Sequence, residues 1–387
     1  MNIGFDAKRA FHNNTGLGVY SRVLLNLLAE QFPEHHYYLF NPKPGKLYKP
    51  DAANVHEILP QEFLHKLFIS AWRSNWVTGD LKKYKIDLFH GLSHEVPLEI
   101  DKTGIPSIVT MHDLFPELYP DNFKKIDLRI YRAKTRYACT HATRILAISK
   151  ETKKQIVKVY DIDPEKIDVI YQSYDPVFDR REDEDRKRMV REKYGLPEQF
   201  FLHVGTIIER KNLLNIVKAI NEIKNEIDVP LVVIGKGVHY KEQIKAYIKE
   251  NGLENRVVFL SDEIARKNTG SFIETQDMPA IYQSALAMIY PSFYEGFGIP
   301  VAEALASGAP VITSNTSCLP EAGGDAAFYV DPSSYIEMAD GLRKIYSDVE
   351  YVQLVKQKGF EQVKKFSQKE YVSKVMQMYH RVYGAQS

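Results

Sequence analysis

The chain has 387 residues, two to three times the roughly 150 residues of a common domain, so a single small module is excluded. With 44% hydrophobic and 26% charged residues, disordered and fibrous classes are excluded and a sizeable core is expected. Lys and Arg total 51 against 50 Asp and Glu, a formal charge of +1, which leaves no bulk field to draw the protein onto nucleic acid.

Residues 1 to 6 go straight into strand-like residues, without a basic and apolar leader, and no apolar run of about 18 residues follows. Cys139 and Cys318 are the only cysteines, without metal-ligand spacing, which suits a reducing compartment. A cytoplasmic protein is expected, one that could touch a membrane surface.

Short β-rich runs then alternate with helical patterns, the signature of βαβ units and parallel sheets. Strands are expected at Asn2 to Phe5, Tyr37 to Phe40, Ile86 to His90, Ser107 to Met111, Ile145 to Ile148 and Asp168 to Tyr171, with helices over Gly18 to Gln31 and Asn122 to Tyr137. In the helix over Asn122 to Tyr137, Lys125, Arg129, Arg132 and Arg136 form one stripe beside Phe123, Ile126, Ile130, Ala133 and Tyr137. Such a stripe is ordinarily a solvated face; its alternative is contact with anionic lipid or an acceptor pyrophosphate.

The alternation breaks after Tyr171. A loop and the charge-dense Arg180 to Lys193, read as a solvated helix face, lead to fresh strands at Phe200 to Val204, Leu231 to Ile234, Val257 to Leu260, Ala287 to Tyr290, Pro310 to Thr313 and Ala327 to Val330. Helices are expected at Leu213 to Ile223, Val301 to Ala306 and Gln368 to Tyr383. The boundaries divide the chain into 1–175, 176–365 and a terminal helix, 366–387. Open parallel sheets bind ligands beyond the carboxyl ends of their strands, so an interdomain cleft is the expected place for chemistry.

Residues Tyr290 to Ala304, YPSFYEGFGIPVAEA, run strand, loop, helix. Gly296 and Gly298 allow close backbone approach to a ligand, and Pro300 suits a first helical position. The free N–H groups of that helix start would face an anion, most simply a phosphate. Glu295 and Glu303 bracket this cradle, and ionised carboxylates accept sugar hydroxyls through charge-assisted bonds.

The Glu295 to Glu303 spacing resembles the E-x7-E motif of the family 4 retaining glycosyltransferases, also called group 1 glycosyltransferases. Asn14-Thr15-Gly16-Leu17-Gly18 resembles that family's amino-terminal glycine-rich loop, Val204-Gly205 with Arg210-Lys211-Asn212 its phosphate-binding segment, and Ser314 to Gly324 its stretch after the next strand. The resemblance implies an α/β fold of the GT-B type: two Rossmann-like parallel-sheet domains facing a cleft, an acceptor domain (1–175) and a donor domain (176–365), with the terminal helix crossing back to the first. It implies a retaining, metal-independent hexosyltransferase moving a sugar from a UDP- or GDP-linked donor to a hydroxyl of a glycan or lipid-linked acceptor. The expected setting is cell-surface polysaccharide or glycolipid synthesis, at the inner face of the membrane, with no cofactor, no metal and no nucleic acid.

Residue by residue, the resemblance gives Lys211 to the donor diphosphate, with Gly16, Gly18, Gly205, Thr206, Arg210, Phe297, Gly298 and Ile299 around it, and gives Glu303 to the ribose. Glu295 and His112 are the candidate catalytic residues, both placed at the transferred sugar. His90 and Ser93, after a first-half strand, are candidates for the acceptor side. Thr206 stands where many members carry Arg, so a cation is missing there, and 261–279 exceeds the usual loop length. Competing readings are a nucleotide-sugar epimerase on the same fold and a non-catalytic nucleotide-sugar sensor. A nicotinamide enzyme is disfavoured, because Tyr240 replaces the third glycine after Gly235-Lys236-Gly237.

Overall fold

The computed structural model describes residues 1–262 and 273–385. They form two units, one of Met1–Gln172 together with Lys369–Ser387, the other of Ser173–Gln368. Part of the long segment 261–279 noted in the sequence lies outside the described residues.

The first unit holds a seven-stranded parallel sheet in the order β3-β2-β1-β4-β5-β6-β7. Its strands are β1 (Asn2–Asp6), β2 (His36–Phe40), β3 (Val55–Ile58), β4 (Leu88–Gly91), β5 (Ser107–Met111), β6 (Arg144–Ala147) and β7 (Ile167–Val169). Every residue of β5 is buried, as expected of a strand covered on both faces, which therefore shows no alternation. β3, Val-His-Glu-Ile, escapes the sequence reading because three of its four residues are not buried and its apolar pattern is short.

The second unit repeats the plan with six parallel strands, order β10-β9-β8-β11-β12-β13: β8 (Phe201–Val204), β9 (Leu231–Ile234), β10 (Val257–Phe259), β11 (Ala287–Tyr290), β12 (Val311–Ser314) and β13 (Ala327–Val330). The helix Leu213–Glu222 buries Leu213, Ile216, Val217 and Ile220, the spacing of one helical face. Each such apolar side chain contributes about 1.5–3 kcal/mol by leaving water. The charge-dense block becomes the helix Glu184–Tyr194, capped by Asp183, whose carboxylate accepts from the Arg186 N–H, and closed by left-handed Gly195.

The terminal helix Gln368–Gly384 belongs to the first unit, where it buries Tyr371, Val375, Met376 and Tyr379. Its anchor is polar as well as apolar: the Tyr379 hydroxyl lies 2.6 Å from His90 Nδ1, and His90 Nε2 lies 2.8 Å from Thr110 Oγ1. Among the described residues no helix is long and apolar enough to cross a membrane.

On the helix Lys125–His141 the four cations of the stripe are all exposed, as a solvated face requires. The buried residues of the helix are Leu128, Thr135, Ala138 and Cys139, whereas Ile126 and Ile130 are 61% and 49% exposed. The face judged apolar by spacing therefore carries exposed apolar side chains beside exposed Lys125 and Arg129. Arg132 is bonded to Glu117 at 2.8 Å and Arg136 lies over the Tyr160 ring, so the four cations do not share one environment.

Candidate active site

In each sheet the chain first builds outward on one side of the opening strand and then returns to the other side. The second unit makes this reversal between β8 and β11, and loops leaving such a switch point form a natural ligand crevice. The loop after β8 ends in the 3-10 turn Glu209–Lys211 and supplies Arg210 and Lys211; the loop after β11 supplies Glu295. Asn212, left-handed at φ 63°, ties the two loops to each other and to the chain after β13. Its amide donates to Pro291 O at 3.0 Å and Pro332 O at 2.6 Å.

The three charged groups meet. Lys211 Nζ is 2.5 Å from Glu295 Oε1, and Arg210 Nη1 is 2.9 Å from Glu295 Oε2. The Tyr290 hydroxyl receives a hydrogen bond from Lys211 and donates to Glu295 Oε1 at 3.2 Å. Tyr290 is a residue the sequence reading passed over; its signal was a tyrosine closing a strand one residue before the loop. Burial pushes the Glu295 carboxyl up, but Lys211 and Arg210 outweigh it and hold the group below its ordinary range. Burial pulls the Lys211 ammonium down, and Glu295 only partly restores it.

The backbone of Glu295 is fixed from the next loop: its N–H donates to Ser317 Oγ at 3.0 Å, and Ser317 Oγ donates back to Glu295 O at 2.8 Å. Gly298 then turns the chain into the helix Ile299–Ser307 at φ 108°, a region open to glycine and costly for other residues. A Cβ there would also stand 2.9 Å from Leu319 Cδ2. Phe297 contributes its backbone to this turn, while its side chain is buried against Phe366. Gly205 closes β8 with its N–H bonded to Ile234 O at 2.9 Å, and Thr206 after it is exposed.

Glu303 sits one turn into the same helix and makes different contacts. The Tyr282 hydroxyl donates to its Oε2 at 3.2 Å. Burial pushes the carboxyl up to about 7, against the Tyr282 bond and with help from Asp175. The two glutamates of the motif are thus electrostatic opposites, one kept ionised by cations and the other near half-protonated at neutral pH.

In the first unit, His112 follows β5 and is 4% exposed. Its Nε2 lies 2.9 Å from Leu92 O, its ring meets Tyr20 edge-on at 4.5 Å, and burial together with His94 depresses its pKa to about 3, so the ring is neutral. Tyr20 belongs to the helix Gly16–Gln31, which brings the glycine-rich start and His112 into one neighbourhood. Gly18 is required by close contact, since a Cβ would meet Asn13 O at 1.8 Å, whereas a Cβ on Gly16 would meet nothing within 4 Å among the described residues. His90 is wholly enclosed, its ring nitrogens facing Tyr379 and Thr110. That position gives it a structural task, holding the last helix, and no face toward an acceptor. Ser93 is 7% exposed and its Oγ finds no hydrogen-bond partner among the described residues. Among the described residues no group of three or more His, Cys, Asp or Glu is arranged to hold a metal ion.

Two family models divide the chain between them: Glycosyltransferase Family 4 over residues 14–178, and Glycosyl transferases group 1 over residues 186–362. The chain belongs to this glycosyltransferase family. Among its relatives, O-antigen chain mannosyltransferase B of Escherichia coli is 24% identical over 95% of this chain and 96% of that protein. O-antigen chain mannosyltransferase RfbU of Salmonella typhimurium is 30% identical over 65% of this chain and 63% of its own length. Among solved structures, Anabaena Alr3699/HepE in complex with UDP-glucose superposes with a TM-score of 0.73 at 17% identity, covering 98% of this chain and all of that one. The fold of this glycosyltransferase is accordingly GT-B.

Proposed function

We propose that this glycosyltransferase is a retaining, metal-independent hexosyltransferase. It takes a UDP- or GDP-linked sugar and glycosylates a hydroxyl of a glycan or lipid-linked acceptor in cell-surface polysaccharide or glycolipid synthesis. The observation that carries the reading is the Arg210–Lys211–Glu295 cluster at the switch point of the second sheet, beside the helix start at Gly298. During transfer the bond from the anomeric carbon to the donor phosphate breaks and one to the acceptor oxygen forms, while the acceptor proton passes to a phosphate oxygen. Negative charge grows on the leaving diphosphate, and fixed cations and helix N–H groups are the means of stabilising it without reorganisation.

Glu295 and the diphosphate compete for the same two cations, so donor binding loosens the carboxylate toward the sugar it is expected to contact. Glu303 takes the ribose, and His112, neutral, positions the sugar by hydrogen bonding. The mannosyltransferase names of the relatives favour mannose as the transferred hexose, and the UDP-glucose of the structural neighbour keeps UDP among the donors to be tried.

We place the enzyme in the cytoplasm, at the inner face of the membrane. The support is the exposed pairing of Ile126 and Ile130 with Lys125 and Arg129, a surface suited to anionic lipid.

The test is incubation with each UDP- and GDP-hexose, with and without glycan acceptors and with and without EDTA, reading the anomeric configuration of the product by NMR. Glu295→Ala is expected to lower mainly kcat, and Glu303→Ala mainly donor affinity. Inversion of configuration, abolition by EDTA, or epimerisation of the donor alone would each end the corresponding part of the proposal. Co-sedimentation with phosphatidylglycerol vesicles checks the membrane part: binding unchanged after Lys125→Ala and Arg129→Ala rejects it.

A further inference from the structure

The first unit has its own switch point, between β1 and β4, and a cavity of about 140 Å³ lies there. Asp6, the last residue of β1, and Glu95, from the loop after β4, line it on either side of Arg73. Arg73 donates to Asp6 from Nε at 3.0 Å and from Nη2 at 2.5 Å, and to Glu95 Oε2 from Nη1 at 2.8 Å. Lys134 Nζ donates to the same Glu95 oxygen at 3.0 Å. The rest of the lining is mainly apolar, with the rings of Phe40, Trp72 and Tyr137 prominent.

Two features of this lining select a ligand. Its two carboxylates face two cations that they already neutralise, so an anionic ligand meets carboxylates and a cationic one meets Arg73 and Lys134; the pocket favours neither. Hydrogen-bonding capacity nevertheless remains. Three of the five guanidinium N–H groups of Arg73 are used in these bonds, and Glu95 Oε1 accepts no bond among the described residues. A neutral ring with hydroxyls on its edge and C–H on its faces matches charged acceptors and donors set among aromatic walls. The volume suits one such ring, being well below the roughly 300–1,000 Å³ of pockets for drug-sized ligands.

We infer that this cavity binds a neutral hexopyranose, the sugar unit of the acceptor. The inference rests on the transferase reading above and narrows its acceptor to a glycan end that carries no charge. Asp6 and Glu95 accept hydrogen bonds from hydroxyls, Arg73 donates to a hydroxyl or ring oxygen, and Leu98, 43% exposed on the lining, stands at the rim.

Saturation-transfer NMR tests this with methyl α-mannoside, methyl α-glucoside and methyl α-galactoside against glucuronate and mannose 6-phosphate, on the wild type, Glu95→Gln and Leu98→Trp. Binding of UDP and GDP is measured on the same samples. A neutral hexoside is expected to bind the wild type in preference to both charged sugars. Glu95→Gln should weaken it about tenfold, the loss of one hydrogen bond to a charged group, and Leu98→Trp should abolish it by filling the cavity. Nucleotide binding, which reports on the second unit, should be the same in all three proteins. Preference for a charged sugar, or neutral-sugar binding indifferent to both variants, overturns the assignment. No sugar signal beside intact nucleotide binding counts against the pocket alone; sugar binding beside absent nucleotide binding counts against the donor site alone.

Discussion

Replacing Glu295 with Gln isolates the electrostatics of the second unit's site. The substitution keeps the shape and one acceptor oxygen but removes the acid that pairs with Lys211, whose side chain is only 11% exposed. Breaking a buried ion pair by removing one partner costs about 3–5 kcal/mol, because the remaining charge stays desolvated. Arg210, with a side chain 25% exposed, adds little to that cost, and the Tyr290 hydroxyl still meets Lys211. A loss near 3 kcal/mol is therefore expected, roughly a hundredfold in the folding equilibrium. Urea unfolding of wild type and variant measures it.

Acid titration adds a signed check. The Glu295 carboxyl is held below its ordinary 4.5, so its contribution is complete above about pH 4.5 and is lost as pH falls through the depressed value. The gap between wild type and variant should close there. Pyrophosphate should in addition stabilise Glu295→Gln more than wild type, because the added anion meets cations without a competing carboxylate. A loss under about 1 kcal/mol, together with equal stabilisation by pyrophosphate, would refute the view that Glu295 and a diphosphate share these cations.

Four further outcomes follow from the geometry. Glu303 titrates at about 7, so if its ionised form binds the ribose, nucleotide affinity should rise about tenfold between pH 6 and 8 in calorimetry and stay flat in Glu303→Gln; a flat wild-type profile removes that role. The same raised pKa means that the neutral form favours the fold, a contribution complete below 4.5 and lost as pH rises through 7. Glu303→Gln should therefore melt above wild type at pH 8, with the two converging near pH 4. Tyr379→Phe deprives buried His90 of its 2.6 Å partner and should cost about 1–3 kcal/mol, with faster hydrogen exchange in the terminal helix; unchanged exchange contradicts the anchor. Gly298→Ala places a Cβ at φ 108° and 2.9 Å from Leu319, so a loss of about 1–3 kcal/mol is expected in urea unfolding, and a neutral substitution denies strain at that turn.

Most of the frame was present in the order of residues. Continuous apolar runs such as Leu231–Ile234 and Ala287–Tyr290 are read as strands because a strand covered on both faces must be apolar throughout. The helix Leu213–Glu222 announces itself by spacing. Gly298 and Pro300 marked a helix start, and the two glutamates with Arg210 and Lys211 marked a site, because close backbone approach, capping and charge are local properties that spacing records.

What spacing could not supply was partnership. The apolar stripe at Ile126 and Ile130 obeyed helical periodicity and yet stayed exposed, because only the neighbours decide which face of a helix is covered. His90 lies at the end of a strand and His112 just after one, and only the fold shows His90 closed against a tyrosine nearly three hundred positions away. Likewise the two glutamates of one motif are chemically alike in sequence. Lys211 and Arg210 beside one, and Tyr282 in a desolvated pocket beside the other, set their charges apart. Local chemistry thus determined the elements and the kind of site; long-range packing decided which side chains keep a free charge, because desolvation and ion pairing depend on residues that sequence order does not place together.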